Sequence, residues 1–417
     1  MRRFLLDLLY LLLALVTAPW WMRKTRGGWR ERFGATDPLP PPQDGRPRLL
    51  IHAVSVGEVN ATRPLVDALA GEFELVIATT TDTGLARARE LYAGDFRVVR
   101  YPLDASWAVA RFLGAVRPDG VALVELELWP NFLDACARHA IPVGVVNGRL
   151  SPRSFKGYQR VRWILRRYFA RLAFAGVQDE DYRARFLAMG VPPERCTVGG
   201  NTKWDVTPPD THDAEALARD MGIDRSRPLV VAGSTAPGED ALLRAALPEG
   251  VQLLCAPRRP EWRDRAATEL APCVRRSQPG AGDPTHGRFL LDTMGELASA
   301  YALADLVVIG RSFVDLHGSD PMEPAAMGKP IVIGPAHSDF GAAVGALDWA
   351  CAIVISDRDR LPDDVARLLA DHDARDQLGG RARAVVDGHR GAASRYADMV
   401  RTMLSRPTTQ DEHHARA

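Results

Sequence analysis

A chain of 417 residues is too long for one ordinary hydrophobic core and suits two domains of roughly 150–200 residues each. With 46% hydrophobic and 25% charged residues the composition is globular, which excludes a disordered chain, and a formal net charge of +1 argues against general nucleic-acid binding. Five cysteines, Cys136, Cys196, Cys255, Cys273 and Cys351, stand singly with no CxxC pair, so neither a disulfide framework nor a zinc site is indicated.

Residues 4–22 (FLLDLLYLLLALVTAPWWM) form an apolar run broken by one acid, Asp7. Its length is near the lower limit for crossing a bilayer, which takes about 20 apolar residues. A cleaved signal peptide would account for the basic start Met1-Arg2-Arg3, but no small-x-small cleavage site follows. A buried core helix would have to sit outside the two-domain pattern. A membrane anchor fits best, because Trp20 and Trp21 suit the interface and Arg23, Lys24, Arg26, Arg30 and Arg32 follow at once. That basic cluster expects the body on the cytoplasmic side. Asp7 and the basic start weaken a full span, so spanning and interfacial placements both stay open. Residues 33–48, rich in proline and glycine, read as a linker.

Short apolar runs then alternate with helical stretches. Strands are expected at 49–54, 74–79, 96–101, 120–126, 142–147 and 173–177, with helices over 57–69 and 83–92. The pattern restarts with strands at 228–232, 251–256, 288–291, 305–310 and 330–334, and helices at 238–246, 295–304 and 323–327. Strands alternating with helices imply a parallel sheet covered on both faces. Two such halves predict an α/β chain of two Rossmann-like domains facing a cleft, over 49–207 and 208–404, joined where VTPPDTHD breaks the pattern. The tail from Arg406 is polar and expected to be disordered.

Ligands of open α/β sheets bind at the carboxyl ends of strands, so the loops there hold the candidates. His52-Ala53-Val54-Ser55-Val56-Gly57-Glu58 follows the first strand and puts Glu58 in the first turn of a helix, where an acid also simply complements the dipole. Glu125-Leu126-Glu127-Leu128-Trp129-Pro130-Asn131 ends another strand. In a strand Glu125 and Glu127 would face one side, costly when buried and unremarkable at an exposed strand end. Gly199-Gly200-Asn201-Thr202-Lys203 offers a cation for an anionic substrate, or a loop lysine in solvent. In the second half, Ala232-Gly233-Ser234-Thr235 and Gly238-Glu239 form a strand-to-helix turn of the kind that presents N–H groups to anions. Pro257-Arg258-Arg259 adds two cations, Met294-Gly295-Glu296 begins a helix, and Asp320-Pro321-Met322-Glu323 opens another with proline in its first turn. No Walker loop, GxGxxG fingerprint or GxSxG elbow is present, which leaves an ATPase, a dehydrogenase and an α/β hydrolase without their signals.

Taken in order, HAVSVGEV, TTTDTG (79–84), YPLD (101–104), ELELWPN, NGRLSPRSFKGY (147–158), GNTKWD, AGSTAPGED, APRRPE, DTMGELASAYALADLVVIG and DPMEPAAMGKPIVIGP resemble the 3-deoxy-D-manno-octulosonic acid (Kdo) transferase family over about residues 50–340. The resemblance implies a GT-B fold with no tightly bound catalytic metal or cofactor. It implies inverting transfer of Kdo from CMP-Kdo to a lipid A precursor at the bacterial inner membrane. It makes Glu58 the general base, and Glu127, beside Glu125, with Lys203 the transition-state stabilisers. Pro257, Arg258, Met294, Gly295, Glu296, Asp320, Pro321, Met322 and Glu323 become the CMP-binding set. The sequence departs from the family at Arg311 (usually glycine), Asp320 (usually an amide) and Arg259 (often histidine), with Arg311 and Arg259 available to offset the added charge of Asp320. Another nucleotide sugar or lipid acceptor, and a non-catalytic tethered binding protein, are the competing readings.

Overall fold

The computed structural model describes residue 7 and residues 27–42, 44–206 and 212–405, so the expected anchor (apart from Asp7), Arg23, Lys24 and Arg26, the VTPPDTHD joint in large part, and the tail lie outside the described residues. Among the described residues no helix is long and apolar enough to cross a membrane. The chain forms two compact units: unit 1 is Met1–Asp205 with Gly391–Ala417, and unit 2 is Val206–Arg390.

Unit 1 is built on seven parallel strands: β1 (Arg48–His52), β2 (Glu74–Thr79), β3 (Arg97–Arg100), β4 (Gly120–Val124), β5 (Val143–Gly148), β6 (Phe174–Val177) and β7 (Cys196–Val198). Their order is β3-β2-β1-β4-β5-β6-β7. The central strands are buried on both faces, and alternate residues feed two cores. Leu50, Val76, Val121, Leu123 and Val145 face one layer with Phe112, Phe132, Phe169 and Phe186. Leu49, Ile51, Ile77, Ala122 and Val124 face the other, with Leu65, Val66, Tyr396 and Val400. Those last two residues belong to the closing helix Ala392–Ser405, which lies on unit 1 although the sequence reading ran the second domain to residue 404.

Unit 2 repeats the design with β8 (Leu229–Thr235), β9 (Gln252–Pro257), β10 (Val274–Arg275), β11 (Arg288–Leu290), β12 (Leu306–Ile309), β13 (Ile331–Ile333) and β14 (Val354–Ile355), in the order β10-β11-β9-β8-β12-β13-β14. In each sheet the strand order reverses beside the first strand, so β1 neighbours β4 and β8 neighbours β12. These are the switch points where the loops after adjacent strands diverge and leave room for a ligand.

Four local expectations need correction. The helix expected over 57–69 is two helices, Val56–Ala61 and Arg63–Leu69, the second with proline at its start. The strand expected to reach residue 126 ends at Val124, because Glu125 adopts a left-handed backbone with φ 61°. Residues 33–48 are no free linker: Leu39 is buried, and its N–H donates to Ala115 O at 2.9 Å. Arg32, counted among the lipid-facing cations, is buried and donates to Asp82 Oδ1 at 3.0 Å and Thr80 O at 3.1 Å.

Candidate functional site

In unit 1 the loops after β1 and β4 meet at the switch point. Ser55 caps the Val56–Ala61 helix from an extended backbone. Its hydroxyl donates to Glu58 Oε1 at 3.0 Å, and Val54 N–H donates to Glu58 Oε2 at 2.8 Å. This variant of a capping box turns the carboxylate back over its own loop. The loop is in turn held by the TTTDTG segment. Thr81 Oγ1 donates to Val54 O at 2.9 Å and accepts from Gly84 N–H at 3.0 Å. Gly84 is required there, since a Cβ would lie 2.8 Å from Val54 O. Behind the loop His52 is fully buried, stacked on Tyr101 with ring centroids 3.7 Å apart. Burial pulls its pKa down to about 3, so it is a neutral wall and no acid or base.

Glu125, Glu127 and Glu58 are close enough to feel one another's charge. Burial raises the Glu58 pKa, and the negative Glu125 adds to it against the hydrogen bonds from Val54 and Ser55. Burial, then Glu58 and Glu125, push Glu127 up to about 7, although Trp129 Nε1–H donates to its Oε2 at 2.8 Å. The pairing of Glu125 with Glu127 does not come from strand alternation. Both sit in the loop, and the left-handed turn at Glu125 aims them, with Arg149 Nη1 3.9 Å from Glu125 Oε2. Such a backbone costs about 1–2 kcal/mol for a residue with a side chain.

Lys203 follows β7 in a loop fixed by a row of amides. Thr202 N–H donates to Asn147 Oδ1 at 3.2 Å, Asn201 Nδ2–H to Gln178 Oε1 at 3.3 Å, and Gln178 Nε2–H to Asn147 O at 3.1 Å. The Lys203 side chain is exposed and makes no ion pair with the three acids among the described residues.

In unit 2 the first loop is closed by a residue that the sequence reading named as part of the strand-to-helix turn but gave no role of its own. Glu239 is fully buried. Its Oε2 accepts from Ala236 N–H at 2.8 Å and Arg311 N–H at 2.7 Å, and its Oε1 accepts from Phe313 N–H at 2.9 Å. One carboxylate thus stitches the loop after β8 to the loop after β12. Arg311 and His317, both left-handed (φ 60° and 64°), are held in that second loop, with Arg311 Nη2–H donating to Leu316 O at 2.6 Å.

Around this seam stand the donor-side candidates. Pro257 ends β9 and Arg258 N–H donates to Thr235 O at 2.9 Å. Tyr301 is buried against Gly233, where a Cβ would collide with its hydroxyl, and its pKa is raised by burial, then by Glu323 and Asp320, against Arg258. Arg258, Asp320 and Glu323 therefore all lie near enough to Tyr301 for their charges to act on it. Glu323 is raised by burial and by Asp320. Asp320 Oδ1 accepts from Met322 N–H at 2.9 Å, while Pro321 precedes the short helix Met322–Ala326 and Met322 is buried. Met294 is exposed and Gly295 has φ 92°. Glu296 is already engaged: Arg276 Nη2–H and Nε–H donate to its Oε1 at 2.8 and 3.0 Å, holding its pKa below the usual range. Arg259 is exposed, stacked over Trp262 and 3.7 Å from Glu261.

The sequence profile of the 3-deoxy-D-manno-octulosonic-acid transferases (kdotransferases) matches residues 27–206. The 3-deoxy-D-manno-octulosonic acid transferase of Bordetella pertussis is 33% identical over 414 residues, covering 92% of this chain and 95% of that protein. The transferase of the same name from Haemophilus influenzae is 31% identical over 397 residues, covering 90% and 91%. Among solved structures, a UDP-GlcNAc 2-epimerase from Neisseria meningitidis superposes with a TM-score of 0.55 at 13% identity, over 85% of this chain and 100% of that one. That likeness speaks for the fold alone, which is GT-B-like with two parallel seven-stranded sheets. At this identity over nearly its whole length, with the acid loop and its supports in place, the chain belongs to the 3-deoxy-D-manno-octulosonic acid transferase family of glycosyltransferases.

Proposed function

We propose that the protein is an inverting transferase that moves Kdo from CMP-Kdo to a lipid A precursor, lipid IVA, on the cytoplasmic face of a bacterial inner membrane. The observation that carries this reading is the acid cluster at the β1/β4 switch point, where Glu58 has a raised proton affinity and its carboxylate takes hydrogen bonds from Val54 N–H and the Ser55 hydroxyl of its own loop. A sugar hydroxyl is a poor nucleophile at neutral pH. A carboxylate within about 3 Å of it accepts its proton as the new C–O bond forms, worth about 10²–10⁴ in rate. Glu58 takes that role: burial raises its proton affinity, which makes it a stronger base than an exposed carboxylate. Glu127, with a pKa of about 7, is part-protonated at neutral pH and hydrogen-bonds the acceptor or the sugar.

On the donor side the bond from the sugar to phosphate breaks, and CMP leaves with its negative charge. Arg258 and the backbone N–H groups of the Met294–Glu296 and Asp320–Glu323 turns stabilise that charge. Glu323 accepts from ribose hydroxyls. Lys203 answers the carboxylate of the sugar or the leaving phosphate. A single leaving phosphate needs less metal help than a diphosphate. For the acceptor, the stretch from residue 135 to 178 contains no acid, and its helices Pro152–Arg160 and Arg162–Phe169 carry Arg153, Lys156, Arg160 and Arg166 beside Trp163, which is 82% exposed. Cations with an exposed tryptophan suit an anionic lipid surface.

The test is a transfer assay with CMP-Kdo and lipid IVA, reading product mass. Addition of Kdo is expected, with transfer by Glu58→Gln lowered by about 10²–10⁴ and CMP binding retained. Transfer only from another nucleotide sugar would shift the donor assignment, for which the carboxylate of Asp320 is the reason. Binding without transfer from any donor would make the chain a binding protein.

A further inference from the structure

Asp7 is the one acid in the apolar run of residues 4–22 and an expensive residue to leave unpartnered in lipid. It is not unpartnered. Its Oδ1 accepts from Ser106 N–H at 3.0 Å and from Asn131 Nδ2–H at 3.0 Å, and its Oδ2 accepts from the Ser106 hydroxyl. The helix Ser106–Val116 has no side-chain cap of its own, because Ala105 stands at that position. Asp7 supplies the missing cap from a hundred residues away. Asn131 in turn opens the helix Pro130–Arg138, and Asp104 holds Asn131 N–H at 3.0 Å and Phe132 N–H at 2.8 Å.

Beyond the run the chain is tied to the same unit. Gly27 N–H donates to Asp82 Oδ2 at 3.4 Å, and Arg32 donates to Asp82 Oδ1 at 3.0 Å. A line of rings then leads back. Trp29 and Phe33 are 5.9 Å apart, and Phe33 and Trp107 5.5 Å, with Trp107 next to Ser106 in sequence. A straight helix of 20 residues would separate its ends by about 30 Å. A chain that crosses a bilayer must also leave its two flanks on opposite sides.

We propose that Asp7 is a clamp that keeps the chain on unit 1 at residue 7, so that residue 7 and residue 27 lie on one side of the bilayer. This rests on the membrane reading above. Trp29, Phe33, Leu103 and Trp107, all exposed and the last 55% so, form a rim beside the clamp at the level of lipid headgroups.

The experiment uses the full chain in vesicles of phosphatidylethanolamine and phosphatidylglycerol. Protease-cleavable tags before Met1 and after Ala417 are expected to be cut from the same side, and cutting from opposite sides overturns the one-sided placement. With the exposed Cys351 replaced by serine, Asp7→Cys with Ser106→Cys is expected to form a disulfide on mild oxidation in the membrane. Its absence in a protein that still binds CMP overturns the clamp. Phe33→Ser with Trp107→Ser is expected to lower vesicle partitioning by roughly tenfold, and unchanged partitioning overturns the rim. If the wild-type chain fails to float with vesicles at all, the membrane reading itself falls, an outcome separate from tags cut on opposite sides.

Discussion

The two units each begin with the same device and use it in opposite ways. After the first strand of its sheet, each has a Gly-Glu pair in the first turn of a helix, Gly57-Glu58 in unit 1 and Gly238-Glu239 in unit 2. Both carboxylates reach back to an N–H of the preceding loop, Val54 for one and Ala236 for the other. Glu239 goes further, takes two more N–H groups from across the switch point and is sealed from water. Glu58 keeps part of its surface and has, beside its own-loop donors, the charges of Glu125 and Glu127 nearby. A carboxylate given enough N–H partners becomes a rivet, and one given like charges holds its proton more tightly.

The contrast breaks most sharply at Glu58 itself. Glu58→Gln preserves shape and the cap but cannot take a proton, so turnover should fall by about 10²–10⁴ with CMP affinity unchanged, read by initial rates and calorimetry. Near-normal turnover would erase the distinction between the two acids. Glu239→Ala should act on structure: three buried N–H groups lose their acceptor, costing about 3 kcal/mol or more, seen as a lower urea midpoint for unit 2 and weakened CMP binding. Gly84→Ala pushes a methyl into Val54 O and should loosen the acid loop by about 1–3 kcal/mol, with a loss of rate at unchanged CMP affinity.

Glu127 gives the smallest effect and the sharpest sign. Its folded pKa of about 7 lies above its ordinary value, so the ionised form is disfavoured in the folded chain. Any stability tied to it is present at pH 4 and lost as pH rises through 7. Glu127→Gln should therefore stabilise unit 1 by about 1–2 kcal/mol at pH 8, after allowance for solvent screening, and do nothing at pH 4. Glu127 holds its proton up to about 7, so it is neutral where Glu58 takes up its own, and the raised proton affinity of Glu58 comes from burial and Glu125; the acid limb of the rate profile, where the base becomes protonated, should therefore stay in place in Glu127→Gln. A limb that moves to lower pH would mean that Glu127 is charged while Glu58 titrates.

Much of this frame was legible in the residues. Runs such as Leu49-Leu50-Ile51 and Val121-Ala122-Leu123 announce buried parallel strands, and the alternation with helices sets the fold class. Glu58 was a candidate because Gly57 marks a strand-to-helix turn, and its expected role as base came from the family resemblance. Glu239 was given no role, since an acid in a first helical turn looks like a partner for the dipole, and its real partners at 311 and 313 are more than seventy residues away. The left-handed turn at Glu125 was invisible because nothing local favours it in a glutamate. The destination of the last helix was hidden for a different reason: amphipathicity says that a face is buried, never against what. A clue existed in glycines 120, 176 and 199. A Cβ on Gly120 would lie 2.7 Å from Leu404 Cδ2, one on Gly176 2.5 Å from Tyr396 Cε1, and one on Gly199 would strike the Tyr396 ring.

That returning helix makes unit 2 an insertion within unit 1. Asp205, where the chain leaves unit 1, accepts from Gly391 N–H and Ala393 N–H, where it comes back, both at 2.6 Å. On a ribosome the N-terminal sheet would emerge with one face still uncovered, because Tyr396, Val400 and Met403 lie in the closing helix and are made late. Unit 2 is continuous in sequence and can close first, so the order of completion runs against the order of synthesis. A protein shortened by its final turns of helix would lose the cover of the half that carries the acid loop, while unit 2 would keep every strand it needs.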